Sequence, residues 1–379
     1  MSIPSLSRVL ERARAHAPSV VLGRADVATA RSTLLGARLP PLGNPYLEVV
    51  GVAPTAGASR TLTVDGTLWL PFEVAGQRGT RVAEARALID VREHQLSERE
   101  MASQAEALGV YGYVSVVAER VRLFEQLLDV SRAEATSYEA RFKAGDATLR
   151  DARLAELELA RYRVFVEESR ADLGRGLSEL GRLTGDVYAQ APGALERAPL
   201  IEASDIEGAP SLAVSRAQAA YYSRAKDRLR REGESGSLSL MLTGGRDALG
   251  APRLGGGVAY AFPVVQRYQG EAARADAERA RALTEEQTNR RVLRSRLRAV
   301  KDELREVRRA LDVLAGEAEP AAAAAVEAAI DMQRAGKSDL FPVLTSRREV
   351  GLLRLRELDL VLREWTLASE LAQITGRFG

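Results

Sequence analysis

The chain has no cysteine and only two histidines, His16 and His94, in 379 residues. Without thiols there are no disulfides, no thiolate metal sites, no cysteine nucleophile and no N-terminal cysteine to carry a lipid. The two histidines lie far apart, with no carboxylate pair at metal-ligand spacing beside either, so a metal centre or histidine catalysis has no residue set to build on. Aromatic residues are scarce at 5%, while Ala, Leu, Arg and Glu dominate, a composition of long helices rather than of an enzyme core. Neither sign of charge prevails: 54 basic against 52 acidic residues leave a net charge of +2, which creates no global field for nucleic acid. A membrane-crossing helix needs about 20 apolar residues, and no such run exists. The best candidate, "PAAAAAVEAAI" at 320–330, is short, mostly alanine and interrupted by Glu327. The opening "MSIPSLSRVLERARAH" lacks the charged head and apolar run of a signal peptide, so a cytoplasmic chain or a mature form with its signal removed is expected. If the protein crosses a membrane, strands must do it.

What the chain does contain is repetition. "LGRLTG" at 180–185 and "LAQITG" at 371–376 are 191 residues apart. The same spacing sets "RFKAGDATL" at 141–149 on "MQRAGKSDL" at 332–340, Gly79 on Gly270, and Leu47 and Val49 on Leu238 and Leu240. "PSV" at 18–20 meets "PSL" at 210–212 at a spacing of 192. The pattern predicts two copies of one unit, 1–191 and 192–379. Each begins with a helix (18–38 and 209–232). A pair of strands follows, in hairpins spanning 46–73 and 236–264, then a long helix (79–143 and 268–334), a glycine turn (tips near 144–148 and 335–339) and a second helix. At 1.5 Å per residue the long helices extend on the order of 100 Å, more than a compact domain needs. Their apolar stripes must be buried against each other and against further copies.

The stretch "TLTVDGTLWLPFEVAGQRG" at 61–79 changes period in its middle. Leu62, Val64, Gly66, Leu68, Leu70 and Phe72 share one face of an extended strand, and Thr63, Asp65, Thr67 and Trp69 share the other. In the second half, Leu238, Leu240 and Leu242 oppose Ser237, Ser239, Met241 and Thr243, while Leu254, Val258, Tyr260 and Phe262 alternate with Gly255, Gly257, Ala259 and Ala261. A solvated sheet on a core and an outer-membrane barrel strand both show this alternation. Pro71 and Pro263 are expected to end their ladders for want of a donor, and Gly76, Gly79 and Gly270 to permit the bend into the helix.

In order, "GNPYLEVV", "LPFEVAGQRGTRVAEA", "RFKAGDATLRDARLAELELARYR", "LGRLTG", "YAFPVVQRYQGEAARADAERA" and "MQRAGKSDLFPVLTSRREV" resemble the TolC-type outer membrane efflux protein family, especially its heavy-metal and multidrug branches. The resemblance runs from Leu6 to Gly376. It implies a mainly α chain with a β-barrel part, in which two hairpins per chain join a trimeric twelve-stranded outer-membrane barrel continued by a long α-helical coiled-coil barrel. The implied function is an exit duct of a tripartite efflux or type I secretion system. It would conduct passively, with no reaction and no cofactor. Its partners would be two more copies of itself, outer membrane lipid, a periplasmic adaptor and an inner-membrane pump of RND or ABC type, with no nucleic acid. The implied location is the outer membrane, with the helices in the periplasm. Leu62, Val64, Leu68 and Leu70 would face lipid. The tips, with Gly145, Asp146, Gly336, Lys337 and Asp339, would meet the adaptor and close the pore, and Asp151 matches the family's gating aspartate. The sequence departs in the second tip, where Pro342 and Thr345 stand at positions of a pore-facing aspartate pair.

Other readings carry less. "GQRG" and "TGGRDALG" lack the Lys-Ser/Thr ending of a phosphate loop and read as a bend and a strand connection. The arginine-rich run 289–309 is interleaved with Asp302, Glu303 and Glu306 and an apolar stripe, as in a solvated helix with one packing face. From the residues alone, a non-membrane coiled-coil scaffold with its strands packed as a small sandwich remains the rival class. A secreted enzyme lacks any convergent acid, base, nucleophile or metal set.

Overall fold

The computed structural model describes residues 2–39, 43–52, 63–73, 75–202, 205–246, 250–335 and 340–378. Leu62, Gly336, Lys337 and Asp339 lie outside them. The elements in chain order are α1 (Leu6–His16), α2 (Pro18–Arg38), β1 (Tyr46–Val52), β2 (Thr63–Phe72), α3 (Gln77–Ala144) and α4 (Leu149–Thr184). They continue with α5 (Pro210–Ser235), β3 (Ser237–Arg246), β4 (Pro252–Ala261), α6 (Gln269–Val313), α7 (Glu319–Arg334) and α8 (Leu340–Thr375). Among the described residues no helix is long and apolar enough to cross a membrane.

The helix expected over 268–334 is divided. Between α6 and α7, residues Leu314–Ala318 form a π-helical turn, in which Glu319 N bonds to Leu314 O. Pro320 at the start of α7 supplies the reason. It has no N–H to give, and its ring crowds the carbonyl four residues back, so the backbone adds a residue to the turn before it.

Two compact units result, and each draws on both halves of the chain. One comprises Met1–Leu22, Ser97–Pro210 and Arg290–Gly379; the other comprises Gly23–Leu96 and Ser211–Asn289. The core of the first gathers fully buried Val9, Leu108, Val114, Leu180, Leu367 and Trp365. Trp365 packs on Tyr111 with ring centroids 5.7 Å apart, and its Nε1 donates to Glu196 O at 3.1 Å. Gly112 makes room for this indole: a Cβ there would lie 2.3 Å from Trp365 Cγ. Gly112→Ala is therefore expected to lower stability by about 1–3 kcal/mol through overpacking. Thermal unfolding of the purified variant reads this directly, and an unchanged midpoint would contradict it.

Beside Trp365, Glu364 is 1% exposed and holds two arginines. Arg197 Nε donates to Oε2 at 2.6 Å, and Arg308 Nε donates to Oε1 at 2.9 Å. Burial pushes this carboxyl up, but the hydrogen bonds from Arg197 and Arg308 more than reverse it and hold it below the usual carboxylate range. The arginine-rich run is largely paired in the same way: Arg290 meets Glu207, Arg296 meets Glu370, and Arg305 and Arg309 meet Asp302 and Glu306.

In the second unit, Ala225, Leu229 and Ala275 form a buried cluster that joins α5 to α6. Its four strands make one antiparallel sheet in the order β1-β2-β3-β4, with β1 and β4 as edges.

Candidate functional site: a one-sided sheet and a helix-hairpin tip

Cross-strand partners in an antiparallel sheet project to the same face, so the register decides what each face displays. Leu68 lies between Leu47 and Leu242, and Gly66 between Val49 and Gly244, with Leu254 beyond. Leu70, Leu240 and Val258 form the next row, and Phe72, Leu238 and Tyr260 the last. Val64 opposes Gly51. This face is apolar across all four strands: the edge-strand side chains stand in the open, with Leu254 96% exposed, Val258 68% and Leu47 66%, while Leu68, Leu70, Leu238 and Leu240 of the central strands are half-buried.

The opposite face carries the sheet's polar groups, set beside Val50, Val52 and Met241. Thr67 Oγ1 and Thr243 Oγ1 are 3.3 Å apart, Trp69 Nε1 donates to Glu48 at 3.3 Å, and Arg253 donates to both carboxylate oxygens of Asp65 at 2.9 and 3.0 Å. Tyr46 stacks on Trp69 at 5.8 Å. An apolar face exposed on a polar-backed sheet is the reverse of a solvated sheet on a core.

The bends leaving the sheet use different residues from those expected. The ladder runs past Pro71, which pairs with Ser239, to Phe72. This is tolerated where β1 no longer flanks β2, because β1 pairing stops at Trp69. Pro263, by contrast, lies beyond the end of β4. Gly76 takes φ +78° immediately before α3, as expected of a bend. Gly79 and Gly270 lie inside the first turns of α3 and α6 and show no positive φ; in the second bend that conformation belongs to Tyr268, at φ 55°.

A glutamine follows each bend. Gln77 Oε1 accepts from Ala75 N at 3.1 Å, and Gln269 Oε1 accepts from Arg267 N at 3.0 Å. Gln77 Nε2 also donates to Ser235 Oγ at 2.8 Å. Sequence reading passed over these glutamines, although "GQRG" and "YQGE" place them 192 residues apart.

The first tip closes as a Schellman turn. Gly145, at φ +84°, donates to Phe142 O at 3.0 Å, and Asp146 N donates to Arg141 O at 2.8 Å. Thr148 then caps α4, accepting from Asp151 N at 3.2 Å while its hydroxyl donates to Asp151 Oδ2 at 2.7 Å. The expected gate residue is thus also part of the helix cap. Gly145→Val should strain this turn by about 1–3 kcal/mol. Protease cleavage should become faster at the tip and stay unchanged elsewhere; equal protection in both proteins would oppose the reading.

In the second tip, Thr345 Oγ1 donates back to Phe341 O at 2.9 Å, and Pro342 sits in the first turn of α8, where a missing N–H is harmless. Tyr138, Glu134 and Arg347 were not anticipated. Gln333 Nε2 donates to buried Tyr138 Oη at 2.6 Å, the Arg141 guanidinium lies 5.0 Å from its ring centroid, and Arg347 pairs with Glu134. Burial pushes the Tyr138 hydroxyl up. No cluster of three or more potential metal ligands occurs among the described residues.

This architecture is that of known channels. A membrane protein from Pseudomonas aeruginosa superposes with a TM-score of 0.83 over 98% of this chain and 93% of its own, at 16% identity. The outer-membrane channel OprN superposes with a TM-score of 0.80 over 99% and 90%, at 15% identity. In sequence, the cobalt-zinc-cadmium resistance protein CzcC of Cupriavidus metallidurans is 26% identical over 353 residues, covering 91% of this chain and 83% of CzcC. No family model matches the chain. The chain thus shares the fold of solved outer-membrane channels and is similar in sequence to a heavy-metal resistance protein, the likeness the motifs led us to expect.

Proposed function

We propose that this protein is the outer membrane exit channel of a tripartite efflux system. The observation that carries the reading is the sheet: four antiparallel strands of 7–10 residues, apolar on one face, carrying the sheet's polar groups on the other, open at both edges. An open edge cannot persist in lipid, because each unpaired backbone group costs several kcal/mol there. An even number of alternating strands lets β4 of one copy pair antiparallel with β1 of the next. Three copies close a twelve-stranded barrel with a polar lumen, and the helices continue it as a periplasmic tunnel.

Two related halves, 1–191 and 192–379, are favoured by paired features. Gly185 and Gly376 end α4 and α8 with φ of +76° and +68°, and both N–H groups donate four residues back at 2.8 Å. The tips would receive a periplasmic adaptor coupled to an inner-membrane pump, RND or ABC in type. Conduction would be passive, with no catalytic chemistry. Because CzcC is a cobalt-zinc-cadmium resistance protein, divalent metal ions are the cargo to test first.

The test is reconstitution. Purified protein should have the mass of three chains in mild detergent and should conduct ions in planar bilayers. Asp151→Ala should raise that conductance by removing negative charge at the first tip, and Thr345→Ala should change it little. A monomer that retains native helicity and conducts nothing would overturn the channel reading and return the scaffold to first place.

A further inference from the structure

Among the described residues, the strands set only Glu48, Asp65 and Arg253 as charged side chains on the face that carries the sheet's polar groups. Arg246 pairs with Pro252 and belongs to the other face. Asp65 and Arg253 do not stand on neighbouring strands. Both oppose Gly245 of β3, Asp65 from β2 on one side and Arg253 from β4 on the other. The guanidinium of Arg253 therefore crosses β3 to reach both oxygens of the Asp65 carboxylate. Gly245 leaves the gap: a Cβ there would lie 2.0 Å from Asp65 Oδ1 and 2.8 Å from Val64 O. Stability does not account for this arrangement. Solvent reaches both side chains, so the pair adds little, and a glycine inside a strand weakens it. The row also lies at the end of the sheet far from the helices, since Asp65 precedes Phe72 by seven residues, about 24 Å of strand.

We infer that Arg253 is a selectivity-determining residue: by cancelling Asp65 in place, it leaves the outer mouth of the channel without net charge. The inference rests on the reading above, in which the sheet closes into a barrel with this face inward, and goes further by naming the residues that set which ions the exit passes. Three copies place three Asp65 carboxylates and three Arg253 guanidiniums on one ring of the lumen wall. A ring of carboxylates alone would draw cations in and hold them. With a guanidinium beside each carboxylate, the field falls off as that of a dipole, and a departing cation meets no well at the exit. Anions are not repelled there either, so the mouth passes solutes of both signs. The remaining charge, Glu48, lies nearer the helices, opposite Thr67, and accepts from Trp69 Nε1.

Reversal potentials in planar bilayers test this, under a potassium chloride gradient whose dilute side is about 0.01 M. The Debye length there is about 30 Å, so a ring of charge acts across the lumen. Arg253→Gln should raise the cation-to-anion permeability ratio by about twofold or more, and Asp65→Asn should lower it by a similar factor. Asp65→Arg with Arg253→Asp exchanges the two charges across Gly245. This exchange should return the ratio to that of the natural chain, which damage to the sheet would not do. If the natural protein conducts but neither single variant moves the ratio, if both move it the same way, or if the exchange fails to restore it, selectivity is set elsewhere. The inference then falls and the channel reading stands. If the natural protein forms no conducting pore, both fall.

Discussion

Replacing both arginines around Glu364, in Arg197→Ala with Arg308→Ala, is expected to cost about 3–5 kcal/mol, because it strands a buried charge. Glu364 is 1% exposed, whereas the Arg197 side chain is about half exposed. Solvent can therefore take back the arginine but cannot reach the carboxylate. The pH dependence should change sign. In the natural chain the folded carboxyl lies below its ordinary value, so its stabilisation is present above the unfolded value and is lost as pH falls through the folded one. In the double variant only burial remains, and it pushes the carboxyl up. The variant should bind a proton in its folded state and lose stability as pH rises through that higher value. Thermal midpoints measured from acid to neutral pH should converge at the acid end and separate toward neutrality. A constant gap, or a gap under about 1 kcal/mol, would mean that water reaches Glu364.

The second large effect belongs to the sheet. Leu68→Arg places a charge on the apolar face between Leu47 and Leu242, and Thr67→Arg places it one residue away on the polar face beside Thr243. Near the bilayer midplane the first should cost about 2–4 kcal/mol and the second far less. Reversible unfolding of the barrel in lipid vesicles gives the comparison. Equal costs, or water contact reported by a spin label at position 68, would remove lipid from the apolar face and with it the barrel.

Sequence alone determined the features whose causes are local. Period-two alternation assigned Val64, Leu68 and Leu70 to one face, because successive residues of a strand point to opposite sides. The glycine in "KAGD" marked a reversal that Gly145 makes at φ +84°, since a left-handed residue carries little cost only without a Cβ. Pro320 also signalled the π-helical turn, although the helix was read as continuous across it.

Tertiary structure decided the rest. Tyr268 rather than Gly270 holds the second bend, and composition could not reveal this, since a non-glycine residue keeps φ 55° only when its surroundings fix it. Glu364 carries no sequence signal of its own; only the fold brings Arg197 and Arg308, distant in sequence, around it. Likewise, the pairing of Leu68 with Leu242, between strands from opposite halves of the chain, turns two separately ambiguous hairpins into a single apolar surface. The reason is common to these cases. Periodicity and chain breaks are set by each residue's own stereochemistry and its near neighbours, whereas burial and cross-strand register exist only after remote segments have met.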